Sequence, residues 1–146
     1  MEWTYNNKIF DSEAAIEEGY IGFVYLVTNT TDDMMYVGKK LLISKRKMPP
    51  LKGKNGRTRR RRTKIVETNW RDYYGSSEEV KRLVEETGAE NFKREVLHLC
   101  RTKGELSYKE LKEQMERDVL LYPSKYYNAF CGGKIHRLHV NHLIQE

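Results

Sequence analysis

The segment at residues 22–40, GFVYLVTNTTDDMMYVGKK, constrains the fold more than any other part of the chain. Residues 23–28 are aromatic or β-branched for the most part, which favours a β-strand, and residues 34–37 have a similar composition. Between them, residues 29–33 are Asn, Thr and Asp, whose short polar side chains hydrogen-bond to the backbone in turns. The segment therefore predicts a β-hairpin.

Both faces of the first predicted strand are apolar. Phe23, Tyr25 and Val27 alternate with Val24 and Leu26, so neither side of the strand is polar. This pattern is typical of a strand inside a sheet that is covered on both sides. A buried phenol needs a hydrogen-bond partner, and without further information Tyr25 would be interpreted as an ordinary core residue.

Length and composition predict one domain over residues 1–146, because 38% hydrophobic residues in 146 suffice for a modest core. Cys100 and Cys131 have neither metal-binding spacing nor the number that a disulfide framework needs. No apolar run reaches the ~18 residues of a membrane span, and no signal peptide is visible. These features predict a cytoplasmic protein without membrane association.

The net charge of +6 is concentrated in a basic arm at residues 45–64. Clustered guanidinium groups bind phosphates bidentately, so the arm predicts contact with nucleic acid, although a solvated loop has the same composition. A basic tail with three histidines follows at residues 132–146; it favours phosphate contact over a zinc site, because no acid or thiol lies beside the histidines. The predicted DNA-binding residues are Arg57, Arg59, Arg60, Arg61, Arg62, Lys64, Trp70 and Arg71, and Trp70 fits a core position equally well.

Further elements follow from periodicity and capping residues. Residues 39–47 predict a short helix or the end of the second strand, and residues 13–18 a helix that covers the hairpin. Residues 76–87 predict a helix that Gly88 ends, and residues 91–100 a third strand. The longest predicted helix spans residues 102–121 and ends before Pro123.

Five motifs agree in order and spacing with one family. Tyr25 is followed by Asn29 after four residues and by Tyr36-Val37-Gly38 after eleven, and Lys45-Arg46 comes next. A helix, a glycine turn and a strand follow at residues 75–99, then Glu105-Leu106 with Glu110, and finally Tyr127-Asn128. In these features the chain resembles the GIY-YIG nuclease family. The resemblance implies an α+β fold with a three-stranded antiparallel sheet and flanking helices, and places Lys45-Arg46 on a helix after the hairpin.

The resemblance also implies the activity of a metal-dependent DNA endonuclease that hydrolyses phosphodiester bonds. Tyr25 would activate or orient the attacking water, with its phenol held by Tyr36 or a basic group. The ordinary pKa of a phenol is near 10, so a base at neutral pH needs a positive charge beside it, and Lys45 or Lys39 would supply it.

The remaining roles follow from the same resemblance. Arg46 would stabilise charge on the scissile phosphate, Glu110 would hold a single Mg²⁺ or Mn²⁺, and Asn128 would orient groups in the site. The catalytic arginine could instead come from residues 57–62 or be Arg71. The expected partner is double-stranded DNA, with a homodimer as one way to reach both strands. By analogy with the family, a phage or homing-type role is one option, and a phage-encoded protein would act in the cytoplasm of the host cell. The rival hypothesis is a non-catalytic nucleic-acid-binding protein that uses the basic arm.

Overall fold

A computed structural model describes residues 1–49, 62–132, 135–138 and 144–145. In chain order its elements are β1 (Trp3–Tyr5), β2 (Lys8–Ile9), α1 (Ser12–Glu17), β3 (Gly22–Asn29), β4 (Met35–Leu41), β5 (Ile43–Met48), β6 (Arg62–Glu67), α2 (Glu78–Thr87), β7 (Phe92–Cys100), α3 (Lys103–Glu116), β8 (Phe130–Cys131) and β9 (Ile135–His136). Short 3₁₀ turns at Trp70–Asp72 and Ala89–Asn91 flank α2. The predicted α+β class is confirmed.

The main sheet is larger than predicted. Its order is β2-β1-β7-β3-β4, so the three expected antiparallel strands, β7, β3 and β4, are extended by two N-terminal strands. β1 runs parallel to β7, which makes the five-stranded sheet mixed. The β1–β2 hairpin turns at Asn6 and Asn7, both with positive φ, as a two-residue type I′ turn requires. The prediction of three strands missed this hairpin.

β3 lies inside the sheet and is buried on both sides, as its double apolar pattern predicted. One side carries Phe23, Tyr25 and Val27, which pack in a core with residues of α1 and α2; we call it the tyrosine face. The other carries Val24 and Leu26, which pack against α3; we call it the α3 face.

The two longer helices begin where the sequence predicted. The side chains of Ser77 and Thr102 accept hydrogen bonds from the first turns of α2 and α3, and Gly88 ends α2 with a φ of 99°. α3 ends at Glu116 and not at position 121, because the chain turns through a left-handed residue, Asp118. That turn carries the apolar residues 119 and 120 into the core.

β5 and β6 form a separate two-stranded antiparallel sheet, which we call the basic ribbon. It leaves the main sheet at Leu42, which is fully buried and whose N–H donates to the carbonyl of Ile21. It returns at Thr68, whose N–H donates to the carbonyl of Leu42. Among the described residues, no helix combines the length and apolarity that a membrane crossing requires.

Candidate functional site

Tyr25 lies at the centre of the tyrosine face and depends on Gly38. The two residues are directly opposite each other in the β3–β4 ladder, and the phenol of Tyr25 lies over the glycine. A Cβ at position 38 would lie 2.7 Å from Tyr25 Cζ, closer than carbon atoms approach. The glycine of the second motif therefore provides the space that the tyrosine of the first motif occupies.

The hydroxyl of Tyr25 is buried without a partner. The side chain is fully buried, and its Oη forms no hydrogen bond of normal geometry with a described residue, although Tyr73 lies close enough to act on its pKa. Burial, followed by the neighbouring Tyr73, Tyr36 and Glu110, raises the pKa of Tyr25 well above its usual 10.0. The expectation that a lysine lowers this pKa is wrong for this conformation, in which Tyr25 is a neutral hydrogen-bond donor.

Tyr36 is the partly exposed phenol of the pair. It lies opposite Val27, so it neighbours Tyr25 diagonally on the tyrosine face and does not face it directly. The two ring centroids are 6.3 Å apart at an interplanar angle of 35°. Tyr36 Oη shares a 2.9 Å hydrogen bond with Ser76 Oγ, and burial raises the pKa of Tyr36 despite that bond.

A third tyrosine, Tyr73, joins this cluster. Its ring meets that of Tyr25 edge to face, with centroids 5.8 Å apart. Lys40 Nζ lies 4.2 Å from the centroid of Tyr73 and donates a 2.7 Å hydrogen bond to Asn69 Oδ1. The sequence contained a signal for Lys40: residues 36, 38 and 40 of a strand share one face, so Lys40 and not Lys39 belongs to the tyrosine face.

The segment that carries Tyr73 is anchored by Arg94 of β7. The guanidinium of Arg94 donates to the carbonyls of Met1, Arg71 and Tyr73 at 2.7–3.0 Å. It also lies between the rings of Trp3 and Tyr74. Nothing in the local sequence singled out this arginine, since its partners are backbone carbonyls from distant segments.

Glu110 projects from α3 toward β4. Its carboxylate lies 4.0 Å from Lys39 Nζ, and its side chain is 16% exposed. Burial raises the pKa of Glu110, and the ammonium and the backbone N–H of Lys39 partly offset that effect. Lys39 therefore interacts with Glu110 and not with Tyr25. The charge of Glu110 also contributes, as a smaller cause than burial, to the raised pKa of both Tyr25 and Tyr36.

The donor set near Glu110 suits a cation that needs few protein ligands. No cluster of three or more His, Cys, Asp and Glu side chains occurs in the part of the chain that the structure describes. Mg²⁺ accepts one or two carboxylates and completes its shell with water and phosphate oxygens. A half-buried carboxylate with a raised pKa is stabilised by such an ion, so Glu110 fits this role.

Asn128 lies at the edge of β4 and is fully buried. Its Oδ1 accepts the N–H of Val37 at 3.1 Å, and its Nδ2 donates to the Val37 carbonyl at 2.8 Å. Tyr127 N–H donates to the carbonyl of Met35 just before it. Asn128 thus fixes β4, which carries Tyr36 and Gly38, instead of pointing its own amide at a substrate.

Lys45 and Arg46 lie on β5, so the helix expected there is wrong. Lys45 is opposite Ile65 and Arg46 opposite Lys64, and both cations are exposed. Neither forms an ion pair or hydrogen bond with the residues that the structure describes. The exposed basic ribbon therefore presents them to solvent.

The other predicted DNA contacts are distributed unevenly. Arg57, Arg59, Arg60 and Arg61 lie outside the described residues, as does most of the tail, whereas Arg62 and Lys64 lie on β6. Trp70 is 3% exposed and packs on Phe10 and Phe23, so the structure favours its core role over DNA contact. Arg71 stacks on Trp70 and pairs with Glu67 at 3.6 Å.

Comparison with known proteins gave one match. The family model described as "Putative endonuclease segE, GIY-YIG domain" matches residues 3–131, which is most of the chain. Neither the curated proteins nor the solved structures gave a match. The matched range includes both hairpin tyrosines, Gly38, Glu110 and Asn128.

Proposed function

Because the chain belongs to the GIY-YIG nuclease family, we propose that it is a metal-dependent endonuclease that hydrolyses phosphodiester bonds in double-stranded DNA. The observation that carries this proposal is the hydroxyl of Tyr25, which is buried beside Tyr36 without a hydrogen bond of normal geometry. A buried polar group without a hydrogen bond costs about 1–3 kcal/mol, so its presence at the centre of the motif calls for a functional explanation.

Phosphodiester hydrolysis needs an oriented water, stabilisation of charge on the phosphoryl group and neutralisation of the leaving oxygen. Tyr25 and Tyr36 supply phenols for the first task. Tyr25, as a neutral donor, orients a water or phosphate oxygen that reaches its hydroxyl. Tyr36 meets the substrate first, because it is the more exposed phenol and only Ser76 occupies its hydroxyl.

Glu110 would hold the metal ion, Mg²⁺ or Mn²⁺. When bound, the ion supplies positive charge to the phosphate and the leaving oxygen. Lys39 keeps the Glu110 carboxylate in place through its backbone N–H and its ammonium. Asn128 acts through β4, whose position it fixes, and is therefore a positioning residue.

Arg46 is the proposed arginine that stabilises the scissile phosphate. It is exposed and without an ion pair in the described structure, so its guanidinium is available for a phosphate. Arg71 is a weaker alternative because it already pairs with Glu67 and donates to Ser12 Oγ. An arginine of residues 57–62 remains the second alternative.

The basic ribbon would bind the DNA backbone. Lys45, Arg46, Lys47 and Lys64 lie on it without ion pairs to described residues, and counterion release from phosphates makes such cations effective DNA ligands. A homodimer would give two such sites, one for each strand. A phage or homing-type setting is a further part of the proposal.

A plasmid-cleavage assay with Mg²⁺ or Mn²⁺ tests the proposal. Glu110→Ala should abolish nicking at matched DNA occupancy, whereas Glu116→Ala, on the exposed end of the same helix, should cleave like the wild type. Mg²⁺ should also raise the melting temperature of the wild type but not of Glu110→Ala, because a ligand stabilises only the state that binds it.

The same assay distinguishes the endonuclease from the rival hypothesis, a non-catalytic nucleic-acid-binding protein. A wild-type protein that shifts DNA but never cuts it, with either metal, is a binding protein whose basic ribbon is its functional part. Equal cleavage by Glu110→Ala and the wild type would remove Glu110 from the site.

A further inference from the structure

A cleft lies between the basic ribbon and the N-terminal end of α3. Its volume is about 410 Å³, and it combines an apolar floor with a basic rim. The floor is formed by Ile21, Leu41 and Ile43, and the rim by Lys45, Arg101 and Lys103. Neither Arg101 nor Lys103 belongs to the GIY-YIG motifs or to the basic arm.

The three rim cations are not neutralised by carboxylates of the described chain. Farther along α3, by contrast, Lys112 pairs with Glu116 and Arg117 with Glu113. The side chain of Arg101 is held in place by the carbonyl of Glu18 at 3.2 Å and by the ring of Tyr20. Glu105, the nearest acid in the sequence, accepts the backbone N–H of Arg101 and not its guanidinium.

Lys103 occupies an unfavourable position for a cation. It is the first residue of a 14-residue helix, where the macrodipole repels positive charge and attracts phosphate. A phosphate in the cleft would offset the repulsion between the helix dipole and Lys103, because it would interact favourably with both the helix terminus and the lysine.

One side of α3 connects the cleft with the proposed active site. Lys103, Ser107 and Glu110 are spaced i, i+4, i+7 and so lie along one side of α3. Lys39 of β4 spans the interval, since its Nζ donates to Ser107 Oγ at 2.8 Å and lies 4.0 Å from Glu110. Seven residues at a rise of 1.5 Å place Lys103 roughly 10 Å from Glu110 along the helix.

We propose that this cleft binds a backbone phosphate of the DNA strand that is cut, within about three nucleotides of the bond held at Glu110. The proposal rests on the proposed endonuclease function for the identity of its ligand. Lys45, Arg101 and Lys103 fix the strand along α3 and read no bases, because contacts to phosphate position a protein on DNA without specifying sequence.

Salt-dependent binding tests the cleft directly. The probe is a fluorescent DNA duplex in EDTA, so that no cleavage occurs, and the dissociation constant is measured across a series of KCl concentrations. Lys103→Gln should weaken binding and reduce the log–log salt slope by about 0.9, the value for one phosphate contact. Lys112→Gln is the matched control, because nine residues place it roughly 180° around the same helix.

Misfolding is separable from the loss of a contact. Lys103→Gln should melt at or above the wild-type temperature, since it removes a charge that the helix dipole disfavours. Single methylphosphonates can be placed one at a time along the duplex. At one position, the substitution should weaken binding by the wild type but not by Lys103→Gln. That position should lie within three nucleotides of the cut that the wild type makes in Mg²⁺.

Three results would overturn the proposal. The first is an equal loss of DNA affinity and salt slope in Lys103→Gln and Lys112→Gln. The second is a methylphosphonate profile that is the same for wild type and Lys103→Gln. The third is a matched RNA duplex that binds more tightly than DNA in a Lys103-dependent way. Failure of the wild type to cut any DNA would refute the endonuclease function instead. A salt slope of DNA binding that decreases only in Lys103→Gln would, even then, assign a phosphate to the cleft.

Discussion

Gly38 and Tyr25 form a single packing unit across two strands. The glycine has no unusual φ to explain it; it is needed because the phenol of Tyr25 fills the volume that a side chain would take. Gly75 borders the same hydroxyl, since a Cβ there would lie 3.4 Å from Tyr25 Oη. At the level of residues, the site is a tyrosine cluster that two glycines allow to close.

Substitution of Gly38 by alanine should damage the site and the fold together. The added methyl group has to displace the rings of Tyr25 and Tyr36, which costs about 1–3 kcal/mol of unfolding free energy in a packed core. Cleavage should fall with it. Gly104→Ala is the control, because nothing lies within 4 Å of its Cβ, and its effect should stay within about 1 kcal/mol. Chemical denaturation checks both; a Gly38→Ala protein as stable as wild type would contradict the packing.

The alternation of β4 decides which lysine serves which part of the site. The sequence predicted the strand, but the choice of Lys39 as a partner for Tyr25 ignored the parity that puts Lys39 on the α3 face. Parity could have corrected this error. The burial of Tyr25 could not have been predicted in the same way, because it depends on Tyr73 and Gly75, some 50 residues farther along the chain.

α3 is linked to β7 by a hydrogen-bonded triad of side chains. His98 Nε2 and Glu113 Oε2 are 2.7 Å apart, and Arg117 Nε donates to Glu113 Oε1 at 2.7 Å. Burial alone would raise the pKa of Glu113, but the hydrogen bonds from His98 and Arg117 outweigh it, and the pKa lies below the ordinary 4.5. The folded state thus favours the ionised carboxylate.

The triad should therefore make stability sensitive to acid. A lowered carboxyl pKa gives stabilisation that is complete above the unfolded-state pKa and is lost as the pH falls through the folded-state value. Between pH 6 and about pH 3, the unfolding free energy of the wild type should fall by up to about 1 kcal/mol more than that of Glu113→Gln. Glu116→Gln should follow wild type. Denaturation at each pH measures the difference, and parallel curves for wild type and Glu113→Gln would exclude the effect.

The whole molecule consists of a folded core and the basic ribbon. Capping residues and apolar periodicity predicted α2, the start of α3 and the three antiparallel strands, because those signals are local. The parallel pairing of β1 with β7 and the Arg94 anchor were missed, since they join segments about 90 residues apart. The Asn6-Asn7 turn was a local signal that could have revealed the β1–β2 hairpin.

The basic ribbon should be removable without unfolding the core. Ser44 and Val66 are paired in the ladder, so an Asn-Gly type I′ turn can replace residues 45–65. The shortened protein should unfold cooperatively near the wild-type temperature but bind duplex DNA at least ~10-fold more weakly at 0.15 M salt, about physiological ionic strength. Calorimetry and fluorescence anisotropy check the two parts. Unchanged DNA affinity would show that the ribbon is not the main binding surface.

The most direct test of the account is the substitution Tyr25→Phe, measured for stability and for cleavage. If the buried hydroxyl is kept for catalysis, its removal should leave the unfolding free energy unchanged or raise it by up to about 3 kcal/mol. DNA affinity should be unchanged, and the cleavage rate should fall by at least ~10²-fold. A Tyr25→Phe protein that cuts DNA like the wild type would show that Tyr25 is an ordinary core residue, and the proposed active centre would be wrong.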